Sequence, residues 1–272
     1  VLWDIPDPAQ HAMLLNQGRV TSIAFSPDGT TAITGSEDKN ARLRDAKTGQ
    51  LIPGVNAMRH DEAVSQVAFR PDGAVVLTAS LDGTAQLWNA RDGTKHRQVM
   101  DHRRATGARV QVYSAVFSPD GKLVLTGDNN GVIRTWNGDT GERVLVFGEI
   151  KDQTVAVGSV GPLCFSPSGD RAVAGFRNGH VGLWDARSGK LLWTRLHSKR
   201  VRAVTISPDG RLVLSASNDK TARFWNVEDG QPVGPPLQHR GEVFVARFSP
   251  DDGRLAALVT GAAKRIGRAI AL

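Results

Sequence analysis

Clusters of cationic side chains are the part of this chain whose residue types and spacing suggest binding chemistry. The candidate partner-binding residues are Arg103, Arg104, Arg109, Lys199, Arg200, Arg202 and Arg240. Guanidinium and ammonium groups bind carboxylates and phosphates, and the 272-residue chain carries a net charge of +7. The pattern indicates an acidic partner, and the alternative is a set of charged loops that are only solvated, because Asp61, Glu62 and Glu242 dilute the positive charge.

Nucleic acid is the less favoured acidic partner. Proteins that bind single strands interleave basic residues with aromatic side chains that stack on bases. Here the single tyrosine is Tyr113, and five of the six tryptophans occupy one repeated position that is described below. We therefore expect a protein partner, with an acidic surface, in preference to DNA or RNA.

Catalytic and metal-binding patterns are weak. The seven histidines show no His-Glu-x-x-His spacing and there is no paired Cys-x-x-Cys, so no metal or cofactor is expected. Cys164 lies in an apolar run and is interpreted as a core residue. A lone cysteine fits a reducing compartment, which favours a cytoplasmic location. The scattered Ser, His and Asp residues belong to repeated turns, and we expect no enzyme activity.

A five-residue phrase, Phe-Ser-Pro-Asp-Gly or a close variant, occurs six times at spacings of 41 to 48 residues. The copies stand at residues 25–29, 69–73, 117–121, 165–169, 206–210 and 248–253. Such a period is typical of a unit that buries its apolar face only by stacking on copies of itself.

Each repeat reads as a set of short strands. In the fifth repeat, an alternating run at 201–206 leads into Ser-Pro-Asp-Gly, where proline sets φ and glycine accepts positive φ, so the run is predicted to end in a tight turn. Further strands are predicted at 212–217 and 222–226, and a fourth follows a polar turn. Four short antiparallel strands per repeat predict one blade of an all-β propeller.

The third strand of most repeats ends in the same dipeptide, Trp-Asp or Trp-Asn, and the chain therefore resembles the WD40 repeat family. The dipeptides begin at Trp3, Trp88, Trp136, Trp184 and Trp225, and the first full repeat has Arg44-Asp45 instead. The family's histidine is found at His60, His102, His197 and His239. The sequence at residues 235–239 is similar to bacterial WD-repeat regions, including those that follow Ser/Thr kinase domains.

The resemblance implies a buried hydrogen-bonded chain within each blade, made by a histidine, a Ser or Thr on the second strand, the turn aspartate and the tryptophan. By motif position the implied structural network residues are His60, Ser80, Asp82 and Trp88 in one repeat, and His197, Ser217, Asp219 and Trp225 in another. The repeat that ends at Trp184 has Phe176 and Asn178 at the Ser and Asp positions. We expect that blade to be held by apolar packing.

The pattern changes near the C-terminus. Residues 255–271 resemble the nucleotide-binding start of a short-chain dehydrogenase of the pteridine-reductase type, with Thr-Gly-x-x-x-Arg-x-Gly from Thr260 to Gly267. Dehydrogenase catalysis is excluded because only five residues follow Gly267, and the only tyrosine lies upstream. We divide the chain into a WD40-like β-propeller over 1–260 and a divergent tail over 261–272.

A count of strands predicts six blades. Five repeats are complete, and the sixth blade combines C-terminal strands near 243–249 and 254–260 with N-terminal strands near 1–3 and 13–15, so that ring closure removes exposed sheet edges. Seven blades are the alternative.

The expected function is a non-enzymatic scaffold for protein–protein interaction that uses the loop faces of a propeller. The alternative is the non-catalytic part of a larger enzyme, a Ser/Thr kinase or a short-chain reductase fusion. No apolar stretch approaches the ~18 residues that a membrane span needs, so no membrane association is expected. The chain begins within a repeat, at Val1, and we expect a monomer or a segment of a longer protein.

Overall fold

The computed structural model describes residues 18–103, 110–147, 158–249 and 255–261. Over these residues the regular secondary structure consists of β-strands alone, which confirms the all-β prediction. The strands of the first three sheets are β1 Val20–Phe25, β2 Thr31–Ser36, β3 Asn40–Asp45, β4 Met58–Arg59, β5 Val64–Phe69, β6 Val75–Ser80, β7 Thr84–Asn89, β8 Lys95–Asp101, β9 Val112–Phe117, β10 Leu123–Asp128, β11 Ile133–Asn137 and β12 Arg143–Phe147.

The remaining strands form two more four-stranded sheets and one pair. They are β13 Val160–Phe165, β14 Arg171–Phe176, β15 His180–Asp185, β16 Leu191–Leu196, β17 Val201–Ile206, β18 Leu212–Ser217, β19 Thr221–Asn226, β20 Leu237–Gln238, β21 Glu242–Phe248 and β22 Leu255–Gly261. Every sheet is an antiparallel meander in chain order, and we number the five four-stranded sheets as blades one to five. The pair β21–β22 is the sixth sheet.

The first strand of each sheet lies beside the first strand of the next. In chain order, β1, β5, β9, β13, β17 and β21 pack side by side. The last five of these first strands line a central cavity of about 570 Å³. This is the arrangement of propeller blades around an axis. The strands predicted at 1–3 and 13–15 lie outside the described residues, so the six-bladed closure stays a prediction.

The C-terminal strand β22 pairs antiparallel with β21, with Val243 opposite Thr260 and Ala246 opposite Leu258. A dehydrogenase start would place this strand in a parallel sheet. The local pairing is therefore that of a blade hairpin. The strand ends at Gly261, the first residue of the predicted tail, and residues 262–272 lie outside the described part of the chain.

The hydrophobic core lies between neighbouring sheets. One cluster joins Ile33 and Leu43 of blade one to Val67 and Trp88 of blade two, and equivalent clusters join each later pair of sheets. Small residues on the second strands allow the close approach: a Cβ added to Gly127 would lie 2.3 Å from Cγ1 of Val160 on the next blade. Each blade therefore depends on its neighbour for burial.

Blade four is held by aromatic and aliphatic packing, as the sequence predicted. Trp184 is 1% exposed, and its ring centroid lies 6.1 Å from the rings of both Phe176 and Phe147. The indole also lies over Gly182, two residues earlier on the same strand, where an added Cβ would be 2.3 Å from Cη2 of the indole. A side chain at position 182 would compete with the tryptophan for this space.

We expect Gly182→Ala to lower the free energy of unfolding by ~1–3 kcal/mol, the range for overpacking a dense core. Urea unfolding measures the change. The matched background is Trp184→Phe, which lacks the ring atom that meets the new methyl group. The alanine should cost clearly less in that background, and an equal cost in both backgrounds would contradict the packing explanation.

Candidate interaction surface on the loop face

Two kinds of loop lie on the same end of the blades. Each loop that precedes a first strand is hydrogen-bonded to the turn between the second and third strands of the same blade: the Leu81 N–H donates to the Ala63 carbonyl at 3.0 Å, and the Asn218 N–H donates to the Arg200 carbonyl at 2.9 Å. Blades three and four repeat the contact. We call this end of the blades the loop face. Four of the predicted basic residues, Arg103, Lys199, Arg200 and Arg240, belong to loops that precede first strands.

A β-bulge interrupts every described first strand near its start, on the loop face. The pairing with the second strand shifts register there in all six sheets that the structure describes. The residues left out of the pairing are Thr21, Ser65, Tyr113, Gly161 with Pro162, Arg202 and Phe244. Bulges redirect side chains and are common next to functional sites, so this position sets which groups the inner rim of the loop face presents.

The bulged residues fall into two groups. In blades one and two, the hydroxyls of Thr21 and Ser65 donate to the carbonyls of Val64 and Val112 on the next inner strand. These residues link neighbouring blades. In blade five, the guanidinium of Arg202 lies 5.1 Å from the ring centroid of Phe244, and its Nε donates to Oδ1 of Asn218 at 2.7 Å. Blade three, blade five and the sixth sheet therefore carry larger groups on the rim, whereas blade four carries Gly161.

The predicted basic residues occupy different environments. Arg202 lines the central cavity, whereas Lys199 and Arg240 are exposed. Arg103 is also exposed and donates Nε and Nη2 to the two carboxylate oxygens of Asp101, at 2.9 and 2.7 Å, so its charge is paired. Arg200 is half-buried. Arg104 and Arg109 lie outside the described residues.

A buried network in blade two joins the loop face to the core. The His60 Nδ1–H donates to Oδ2 of Asp82 at 2.9 Å, because an ionised carboxylate can only accept. Nε2 of His60 then accepts from the Thr78 hydroxyl at 2.7 Å, and the Thr78 oxygen accepts from the Trp88 indole N–H at 2.8 Å. Histidine, aspartate and tryptophan are joined as the resemblance implied.

The bridging hydroxyl differs from the one expected, and the assignment of Ser80 and Ser217 to that position is wrong. The bridges are Thr78 and Ser215. Trp88 pairs with Val76, so the residue two positions along the same face lies within reach of the indole. Ser80 is four positions along, about 13 Å at 3.3 Å per residue, and instead receives the Asp82 N–H and donates to the Glu62 carbonyl.

The same network recurs twice. In blade five His197 joins Asp219 at 2.8 Å and Ser215 at 2.7 Å. In blade three, a network that the sequence analysis did not assign joins His102, Asp128, Thr126 and Trp136. There the buried Arg134 also contacts His102 and donates to Asp128 at 2.9 Å. Buried hydrogen-bonded networks of this kind rigidify a core.

The networks also shift pKa values. Burial lowers the pKa of the His197 imidazole below its ordinary 6.5, against the opposing attraction of Asp219, and burial lowers the pKa of His102 in the same way. Burial acts to raise the pKa of the Asp82 carboxyl, but hydrogen bonds from His60 and Thr84 outweigh it and hold the pKa well below the usual range. At neutral pH the folded chain therefore holds His197 and His102 neutral and Asp82 ionised.

The network of blade five holds the basic loop at residues 198–200 in place. Oδ2 of Asp219 accepts the backbone N–H of Ser198 at 3.2 Å, and the Ser217 hydroxyl donates to the Lys199 carbonyl at 2.9 Å. Ser217 therefore supports the loop rather than the tryptophan. The core network thus fixes the backbone from which Lys199 and Arg200 project.

Other kinds of site are not found in the part of the chain that the structure describes. Over these residues no three His, Cys, Asp or Glu side chains are grouped so as to hold a metal ion. The same residues include no helix with the length and apolarity needed to cross a membrane. Burial raises the pKa of the Cys164 thiol, so this side chain is held in the unreactive thiol form.

The similarity of this chain to known proteins lies in its repeats. A family model described as "WD domain, G-beta repeat" matches residues 10–45, 56–89, 98–137 and 189–226. The chain is 43% identical over 79 residues to WD repeat and SOCS box-containing protein 1 of Danio rerio, covering 28% of this chain and 19% of the relative. The human protein of that name is 40% identical over 82 residues, covering 29% and 19%.

A third relative, WD repeat-containing protein SL1-17 of Schistosoma mansoni, is 51% identical over 41 residues, covering 15% of this chain and 14% of the relative. The similar segments thus span about a fifth or less of the length of these relatives. The four matched stretches contain Trp88, Trp136 and Trp225 together with their histidines.

Thr78→Val should lower the free energy of unfolding by about 1–3 kcal/mol, because it keeps the shape but leaves the buried His60 Nε2 and Trp88 N–H without a partner. Thermal or urea unfolding measures the loss. Thr78→Ser is the matched control, since blade five uses serine at the same position, and it should retain most of the stability. Equal losses in both variants would show that the hydroxyl is not the bridge.

Stability should fall as the pH drops from 7.5 to 5.5. The folded-state pKa of His197 lies below the unfolded value of 6.5, so the unfolded chain binds more protons, and the stabilisation present above pH 6.5 is lost below it. His197→Asn should flatten this dependence, by at most ~1.4 kcal/mol per pH unit for one proton. Urea unfolding at several pH values tests this, and an unchanged slope in the variant would refute it.

Proposed function

The chain belongs to the WD40 repeat family, and from this premise we propose that it is a non-enzymatic protein-interaction module that binds an acidic protein through its loop face. The proposal is carried by one observation. The buried network of blade five holds the backbone of the basic loop through Ser198 and Lys199, so its cationic groups are displayed from a rigid support. A pre-ordered surface loses little conformational entropy on association.

Charge supports an acidic partner. The chain has 34 Lys and Arg residues against 27 Asp and Glu, and the exposed cations Lys199 and Arg240 lie on the loop face. Such charges steer an oppositely charged protein and raise the association rate, an effect that salt screens. Single exposed charges contribute little each, so the test must change several together.

The loop-face variant reverses three exposed cations: Arg103→Glu, Lys199→Glu and Arg240→Glu. The matched control reverses three exposed cations at the opposite end of the blades, in turns between other strands: Arg91→Glu, Lys122→Glu and Arg211→Glu. Both variants change the net charge equally. In a pull-down from cells of the source organism, quantified by mass spectrometry, the loop-face variant should lose acidic partners that the control retains.

The loss should shrink as the salt concentration rises, because screening removes the steering from both proteins. Circular dichroism and melting temperature establish that the variants are folded. Equal partner recovery by both triple variants would count against the loop face and would direct attention to the Ser-Pro-Asp-Gly turns at the other end.

A further inference from the structure

We propose that Arg177, Arg200 and Arg202 form a defined oxyanion site on the loop face, which binds a carboxylate side chain of an acidic protein segment. The inference rests on the proposed function and narrows it from a general basic surface to one site between blades four and five. Arg177 is absent from the basic clusters that the sequence analysis selected.

The environment of the Arg200 guanidinium is the main evidence for the site. The Nε of Arg200 is buried and has no hydrogen-bond partner within the described structure. The Nε of Arg134 is also unpartnered, but that guanidinium is paired with Asp128 through Nη1. Burial lowers the pKa of the Arg200 guanidinium, and the charges of Arg202 and Arg177 lower it further. A buried donor without an acceptor and a desolvated charge beside two like charges each cost free energy. An oxyanion bound to the Nη groups of Arg200 would offset the repulsion among the three like charges.

The neighbouring arginines are held in place by aromatic and amide groups. The Arg177 guanidinium lies 4.4 Å from the ring centroid of Tyr113, and the Tyr113 hydroxyl donates to Gln111 at 2.8 Å. Arg202 is held by Asn218 and Phe244. None of these neighbours carries a negative charge. They orient the arginines and leave the positive charge uncompensated.

The β-bulges explain why the site lies here. Around the inner rim the bulged residues run Tyr113, Gly161, Arg202 and Phe244, one from each successive sheet. Gly161 contributes no side chain to the rim between Tyr113 and Arg202. In blades one and two the corresponding positions hold the linking hydroxyls of Thr21 and Ser65, and these blades offer no cation there.

Other arginines in the described residues show what a structural guanidinium looks like in this fold. Arg42 pairs with Asp38 at 2.7 Å and Arg134 pairs with Asp128 at 2.9 Å. By contrast, among the residues described, no carboxylate lies within 4.0 Å of the guanidinium groups of Arg177, Arg200 or Arg202. Three adjacent unpaired cations are suited to an external anion.

A protein carboxylate fits better than a nucleic acid. Binding of a single strand depends on aromatic faces that stack on bases. All five tryptophans in the described residues are buried, and the Arg177 guanidinium lies against the Tyr113 ring. The site therefore offers charge and hydrogen-bond donors without a free stacking platform.

The test uses fluorescence anisotropy with a labelled hexaglutamate peptide, and with hexaglutamine and a labelled six-nucleotide thymidine strand as comparison probes. Arg200→Gln removes the proposed donor fork, and Lys199→Gln removes the same charge from the exposed residue next to it. Arg200→Lys keeps the charge but lacks the guanidinium fork. Melting temperatures monitor folding, and Arg177→Gln provides an exposed second variant if Arg200→Gln is unstable.

The site predicts that hexaglutamate binds more tightly than hexaglutamine and that Arg200→Gln or Arg177→Gln weakens binding about tenfold or more. Lys199→Gln should weaken it only about twofold, and Arg200→Lys should not restore it. Equal losses from Arg200→Gln and Lys199→Gln would overturn the site and leave the general basic surface in place. Tighter binding of the thymidine strand would overturn the choice of ligand. If the wild-type protein does not prefer hexaglutamate, both the site and the proposed function fail.

Discussion

Burial between neighbouring sheets is the constraint on which the rest of this structure depends. A single repeat cannot bury its apolar face alone, and here each sheet buries its apolar residues against its neighbour, as Trp88 does beside Ile33. Close approach requires small residues on the second strands, and Gly127 admits Val160 for this reason. The loops at the ends of the blades contribute little to this core, so their side chains can change without loss of the packing between sheets.

The histidine networks link the packing between sheets to the position of the loops. A tryptophan in the inter-sheet core, a hydroxyl, an imidazole and a carboxylate form one hydrogen-bonded chain, and the carboxylate also accepts a backbone N–H from the loop. The position of the loop is therefore coupled to the position of the core tryptophan. Blade four lacks the chain and uses Phe176 against Trp184 instead, so two different interactions satisfy the same requirement for a filled core.

The inner rim of the loop face shows how one scaffold position serves two purposes. The same bulge bears a short hydroxyl in blades one and two, where it links neighbouring blades, and bears Arg202 or Phe244 in the later sheets. Because the bulge leaves this residue out of the strand pairing, its side chain can change without disturbing the sheet. Ligand-binding character can then concentrate on one part of the rim, beside the half-buried Arg200, while the opposite part remains structural.

The repeated phrase and the closing dipeptide were enough to predict the fold, because alternation, turn residues and a buried tryptophan are local properties that recur with each repeat. The family resemblance that they carry also implied that His60, Asp82 and Trp88 are partners. The bridging hydroxyl was misassigned because Thr78 and Ser80 lie on one face of one strand, and only the cross-strand register decides which lies below the indole. Arg177 and the unpaired donor of Arg200 were likewise decided by tertiary structure, since they depend on how the turn of one blade meets the first strand of another, far away in sequence.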